Sequence, residues 1–264
     1  MPRDLESERE IIENLPQLSR EPDSGATPAS ASMSFRDIIS GAPSAADKGY
    51  FFEPDENQSK RDELHPYVQT LNVTNVDSCV ALEAAAFPPH EAATKEKFEY
   101  RFSVCGELSL GMFTATPTKD APANLQKDAT LHTASSTLIA HVVSTKTTND
   151  VVSDEDMDLP KNWQTERHSM SKAGHKEEGR TIALHSLAVL PAYQKIGLGS
   201  TILKSYVQRM QNAEIADRIV LLAHDELVPF YEKHGFEKKG KSKATYGGGN
   251  WVDMVYEFPI DDSE

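Results

Sequence analysis

A chain of 264 residues with 38% hydrophobic content can bury a substantial core, and one domain is expected. The formal net charge of -14 argues against a nucleic-acid partner, because phosphate backbones need clustered Lys and Arg, but leaves room for a cationic substrate. Cys79 and Cys105 are too few for a disulfide scaffold, MPRDLESERE carries no apolar signal core, and no run is apolar for long enough to span a bilayer; a cytoplasmic monomer with no membrane partner is therefore expected.

In chain order, residues 1–60 are rich in Pro, Ser, Ala and acidic residues and read as a largely disordered arm, with a short helical turn allowed at Ser34 to Gly41. A single domain is expected over 67–258. YVQTLNV from Tyr67 reads as a strand, Asn75 to Phe87 as a helix stopped by Pro88 and Pro89, and Ala93 to Phe102 as a second helix. The strand ELSLGMFTA follows, then a polar insertion at 117–136, the strand STLIAHVVST, and a longer polar insertion at 146–179. Next come the strand TIALHSLAV, a glycine loop with a helix, a strand at Arg218 to Ala223, a short helix at Leu227 to His234, and two closing strands, Phe236 to Lys241 and Trp251 to Phe258. This order predicts an α/β fold with a mixed central sheet flanked by helices.

The stretch LHSLAVLPAYQKIGLGSTILKSYV carries the chemistry. Its apolar strand ends at Pro191, and from Gly197 onward Leu198, Ile202, Leu203, Tyr206, Val207 and Met210 recur at helical spacing. A glycine loop opening a helix presents unpaired backbone N–H groups, which suit a phosphate. A second phosphate-like pattern, GFEKKGKS at Gly235 to Ser242, matches a nucleotide-binding loop but lacks the strand before it and the helix after it, so it is read as strand. The bare GLG is likewise insufficient for a dinucleotide site.

Gln194-Lys195-Ile196-Gly197-Leu198-Gly199 resembles the Q/R-x-x-G-x-G/A signature of the GNAT acetyltransferase superfamily, and with ELSLGMF and ELVPFYEKHGF it resembles the arylalkylamine (serotonin) N-acetyltransferase branch. The resemblance covers roughly 68–258 without the insertions and implies the acyl-CoA N-acyltransferase fold, with acetyl-CoA as co-substrate and a small arylalkylamine or polyamine as acceptor. It implies that Leu187, Ala188 and Val189 pair with the pantetheine arm and that Gln194, Lys195, Ile196, Gly197, Leu198, Gly199 and Ser200 hold the pyrophosphate. His185 corresponds to one of a pair of histidines, but Ala183 stands where the second would be, so His185 with water is the expected base; Tyr231 corresponds to the proton donor to sulfur.

The same comparison places Phe87, Leu222, Tyr246 and Trp251 around the amine, with Gly249 where a large apolar side chain is expected. Glu83, Glu107, Asp225 and Glu226 are candidates to attract a further ammonium, and His141, His224 and His234 are further candidate histidines. No metal motif is present in the sequence, and no metal is expected. Protein lysine or N-terminal acetylation, and acyl-CoA binding without catalysis, remain open alternatives.

Overall fold

A seven-stranded sheet with helices packed against it organises the chain. The computed structural model describes residues 56–115, 136–165 and 171–259, so the Ser34 to Gly41 turn and nearly all of the 117–136 insertion lie outside the described residues. The elements are α1 (Glu56–Leu64), β1 (Tyr67–Thr70), α2 (Val76–Ala86), α3 (Lys95–Cys105), β2 (Leu110–Thr114), β3 (Thr137–Thr147) and α4 (Asp154–Met157). They continue with β4 (Thr181–Val189), α5 (Leu198–Ala213), β5 (Arg218–Ala223), α6 (Val228–Glu232), β6 (Glu237–Lys241) and β7 (Val252–Glu257).

Local chemistry explains the boundaries. Asn72 and Asn75 form a reciprocal capping box ahead of α2, and the Thr94 hydroxyl accepts from the Lys97 amide to cap α3. The α5 stripe is buried at all six positions named from its spacing, Leu198 through Met210, and packs on the sheet. Two sequence boundaries need correction. The arm expected to reach residue 60 ends in helix α1, whose one apolar residue, Leu64, is buried and accepts through its carbonyl from the Thr114 hydroxyl. The insertion expected from 146 begins inside β3, because that strand runs on to Thr147 with Thr147 itself buried.

The sheet order is β1-β2-β3-β4-β5-β7-β6, antiparallel throughout except for the β4–β5 pair, which α5 connects. That parallel pairing matches Thr181–Leu184 with Arg218–Leu221 and then stops, although β4 continues to Val189 and remains bonded to β3. The two strands therefore part in the middle of the sheet. The register between β3 and β4 also shifts at Val143/Ser144, so that Ser186 and Leu184 have partners and His185 is the extra residue of a bulge. The nucleotide-loop pattern falls on edge strand β6, whose lysines blunt the open edge, and among the described residues a 3-10 turn at Tyr246–Gly248, and no α-helix, follows it. Among the described residues no helix is long and apolar enough to cross a membrane.

Candidate functional site

The gap between β4 and β5 opens a cleft of about 640 Å³. Leu187, Ala188 and Val189 form one wall, Gln194, Lys195, Gly197, Gly199 and Ser200 form its loop end, and Phe87, His224, Phe230 and Tyr231 line the opposite side. Since β4 has no strand partner among the described residues on its β5 side beyond Leu184, its polar backbone there is available to an extended ligand. The side-chain amide of Gln194 donates to the Val189 carbonyl at 3.0 Å and closes the turn into the loop. Ile196 and Leu198 do not line the cleft; Leu198 is buried, Ile196 packs against the core, and together they anchor the loop.

The loop is shaped for an anion. Lys195 and Gly197 have φ of 64° and 92°, so left-handed residues flank Ile196 where the chain turns into α5, the kind of backbone that builds anion-binding concavities. A Cβ placed on Gly199 would meet only Val189 Cγ2 at 3.7 Å and Phe230 Cζ at 3.8 Å, ordinary contacts with side chains that line the cleft. On Gly197 the same atom would lie 3.0 Å from Nη1 of Arg61. Helix α1 thus brings a guanidinium to the loop, and the residues fit a phosphate-bearing ligand.

A smaller cavity of about 80 Å³ adjoins the cleft and shares Phe87, Glu91, Leu187, His224, Leu227 and Tyr231 with it. All the sequence-named amine-site residues, Phe87, Leu222, Tyr246 and Trp251, line it, together with His185. The Trp251 indole donates to the Tyr246 carbonyl at 2.7 Å, and the Tyr246 hydroxyl donates to the Glu91 carbonyl at 3.0 Å. Gly249 has φ of 78°, a conformation that would strain any larger residue, which accounts for glycine there. From the second insertion, α4 is capped by Ser153, and its Asp154 carboxylate accepts from the Thr245 and Tyr246 amides at 2.8 and 2.9 Å. This docking sets Met157 against the cavity.

His185 is held from both sides. Its Nε2 meets the Thr145 hydroxyl at 2.8 Å and its Nδ1 meets the Met157 sulfur at 3.2 Å. Burial, reinforced by the positive charges of Arg101, Lys97 and His175, holds its imidazole well below the ordinary histidine range. Tyr231 is buried on α6, and desolvation pushes its phenol up, so it carries its proton at neutral pH. Its hydroxyl has no hydrogen-bond partner among the described residues and belongs to the junction of both cavities.

Beneath the smaller cavity, His141 Nε2 lies 3.1 Å from the Ser186 hydroxyl and 3.3 Å from Glu83. Burial raises the Glu83 carboxyl, but the hydrogen bond and charge of His141, with hydrogen bonds from Ser186 and the Ala93 amide, outweigh it and leave the group below its ordinary range. Arg101 is 2% exposed, lines the cavity, donates to the Met157 carbonyl at 3.2 Å and has no ion-pair partner among the described residues. Of the other candidates, Glu226 lines the cleft, whereas Glu107, Asp225, His141 and His234 line neither cavity. Arg61, Glu91, Arg101 and Met157 were not singled out by the sequence reading. No local motif marks any of them: Glu91 follows Phe87 by four residues, and the others come from segments farther away in sequence.

A family model described as the acetyltransferase (GNAT) domain matches residues 127–258, half of the chain. The chain belongs to the GNAT acetyltransferase family. As a GNAT protein it is similar to serotonin N-acetyltransferase of Mesocricetus auratus, 37% identical over 93 residues that make up 35% of this chain and 45% of that protein. Human serotonin N-acetyltransferase is 31% identical over 93 residues, with the same shares covered. The match thus spans less than half the length of these curated relatives. The loading GNATL domain of CurA from Lyngbya majuscula superposes with a TM-score of 0.51 at 13% identity, over 74% of this chain and 98% of that one, and shares the fold.

Proposed function

We propose that this GNAT protein transfers the acetyl group of acetyl-CoA to the primary amine of a small molecule, directly and within a ternary complex. The observation that carries this reading is the junction of two unlike cavities: a long cleft ending in a phosphate-shaped loop, and a smaller, partly open chamber, meeting at Tyr231. Acetyl-CoA supplies an activated acyl group. Leu187 to Val189 would pair with its pantetheine arm, and the 194–200 loop with Arg61 would hold its phosphates. Tyr231 is placed to protonate the departing sulfur.

Three aromatic walls, Phe87, Tyr246 and Trp251, suit an aryl ring or the methylenes of a polyamine, and the Glu91 carboxylate and the Arg101 guanidinium put both signs of charge on the wall of the chamber. Similarity to serotonin N-acetyltransferases supports an arylalkylamine. An acyl-enzyme on Cys105 is disfavoured, because the thiol is buried, lines neither cavity and is pushed up by desolvation and by Glu107. Initial-velocity measurements with acetyl-CoA and tyramine, tryptamine or spermidine test the scheme: intersecting double-reciprocal lines are expected, and parallel lines would replace it with a covalent intermediate.

A further inference from the structure

Resting on this reading of the site as an amine acetyltransferase, we propose that His224, held by Glu91, takes the proton from the amine during transfer and fills the role left open by Ala183. The position is decisive. His224 directly follows β5, beyond the point where β4 and β5 part, and both His224 and Glu91 line the two cavities at their junction, whereas His185 lines the smaller one alone. His224 Nε2 lies 3.1 Å from the Glu91 carboxylate, and its ring packs against Trp251, tilted by 33°, with centroids 4.2 Å apart. A carboxylate at Nε2 favours the tautomer with its proton there, which leaves Nδ1 with its lone pair. Nδ1 has no hydrogen-bond partner among the described residues.

His185 contrasts at every point. Thr145 and Met157 engage both its ring nitrogens, and the charges around it oppose an imidazolium. An imidazolium at His224 instead faces Glu91, with His90 3.5 Å from the other oxygen of that carboxylate and the Tyr246 hydroxyl on the Glu91 carbonyl. Asp225 and Glu226 follow His224 in the chain, with Lys238 3.8 Å from Asp225, and Tyr231 shares the junction.

The step balances without a further reactant. The lone pair of the neutral amine forms the C–N bond at the thioester carbon, and the C–S bond breaks. The nitrogen's proton passes to His224 Nδ1, the Tyr231 hydroxyl protonates the thiolate, and solvent then removes the proton from His224 and restores the one on Tyr231. Glu91 is a positioning residue for His224.

Single-turnover rates across pH, with calorimetric binding of acetyl-CoA, test this on full-length wild type, His224→Gln, His224→Ala, Glu91→Gln and His185→Gln. Wild type should slow as the pH is lowered, because a protonated His224 cannot accept the amine's proton. His224→Gln should lose about 100-fold or more in rate, and with it that limb of the profile, while acetyl-CoA affinity stays within about twofold. Added imidazole should restore part of the rate to His224→Ala, and Glu91→Gln should move the limb to lower pH. An unchanged rate and profile in His224→Gln overturns the inference while leaving amine acetylation intact. A loss in His224→Ala that imidazole leaves unrepaired, accompanied by weakened acetyl-CoA binding, assigns His224 to packing and also overturns it. Wild type that binds acetyl-CoA yet acetylates no amine overturns the functional reading as well.

Discussion

Two glycines one residue apart should respond differently to the same methyl group. Gly199 lies in the first turn of α5 without a positive φ, and an added Cβ meets only ordinary contacts at 3.7 and 3.8 Å, so Gly199→Ala costs the free protein no strain. Replacing glycine in a helix gains about 0.5 kcal/mol or slightly more, which for a domain of this size corresponds to a rise of about 1–2 °C in melting temperature. The same methyl projects between Val189 and Phe230 in the cleft and should separate a phosphate from the backbone N–H groups. Losing one charge-assisted hydrogen bond costs about 1.5–3 kcal/mol, or roughly 10- to 100-fold in Kd. Gly197→Ala forces a side chain into φ of 92° at the N-cap, costing about 1–3 kcal/mol in the free protein in addition to weakened binding. Thermal melts and acetyl-CoA calorimetry on both variants separate the effects. A Gly199→Ala protein that binds acetyl-CoA as wild type does would refute the phosphate cradle.

Arg61→Met should weaken acetyl-CoA by about 10-fold at low salt, and the difference should shrink at high ionic strength; equal affinities by calorimetry at both salts would remove Arg61 from the site. Tyr231→Phe should slow transfer by about 100-fold, and the deficit should narrow with an acetyl donor whose leaving thiol is more acidic; a constant deficit across donors would assign the tyrosine to packing. The depressed imidazole of His185 makes stability pH-dependent. Below about pH 6.5 the unfolded chain takes up a proton there that the folded protein refuses, so this contribution is intact above that pH and is lost as pH falls. Melting temperatures of wild type and His185→Gln should therefore converge between pH 7 and 5, and parallel curves would contradict the assigned environment.

What could be read from the sequence was what a short window encodes. The α5 stripe, the strand before it and the glycines at 197 and 199 all sit within one contiguous stretch, and the periodicity that buries Leu198 and Met210 also turns the loop toward the cleft. Phe87, Leu222, Tyr246 and Trp251 came from family resemblance, and they meet in one cavity because β5, the β7 hairpin and the end of α2 converge there. What escaped is long-range. Glu91 and His224 are 133 positions apart, Arg61 lies in a polar helix with no amphipathic signal, and Met157 belongs to an insertion whose docking depends on Asp154 reaching the Tyr246 turn. The bulge that makes His185 an unpaired extra residue arises from the β3–β4 register, which neither strand encodes alone.

The central claim is acetyl transfer from acetyl-CoA to a small amine, and thiol release measures it most directly. Full-length protein should be assayed with acetyl-CoA against tyramine, tryptamine, serotonin, phenethylamine, putrescine, spermidine and histone peptides, with mass spectrometry of the acetylated product. The account expects turnover of at least one small amine and little or none of the peptides. Folded protein that binds acetyl-CoA and acetylates peptides but none of the amines, or releases thiol with no acceptor at all, would contradict it.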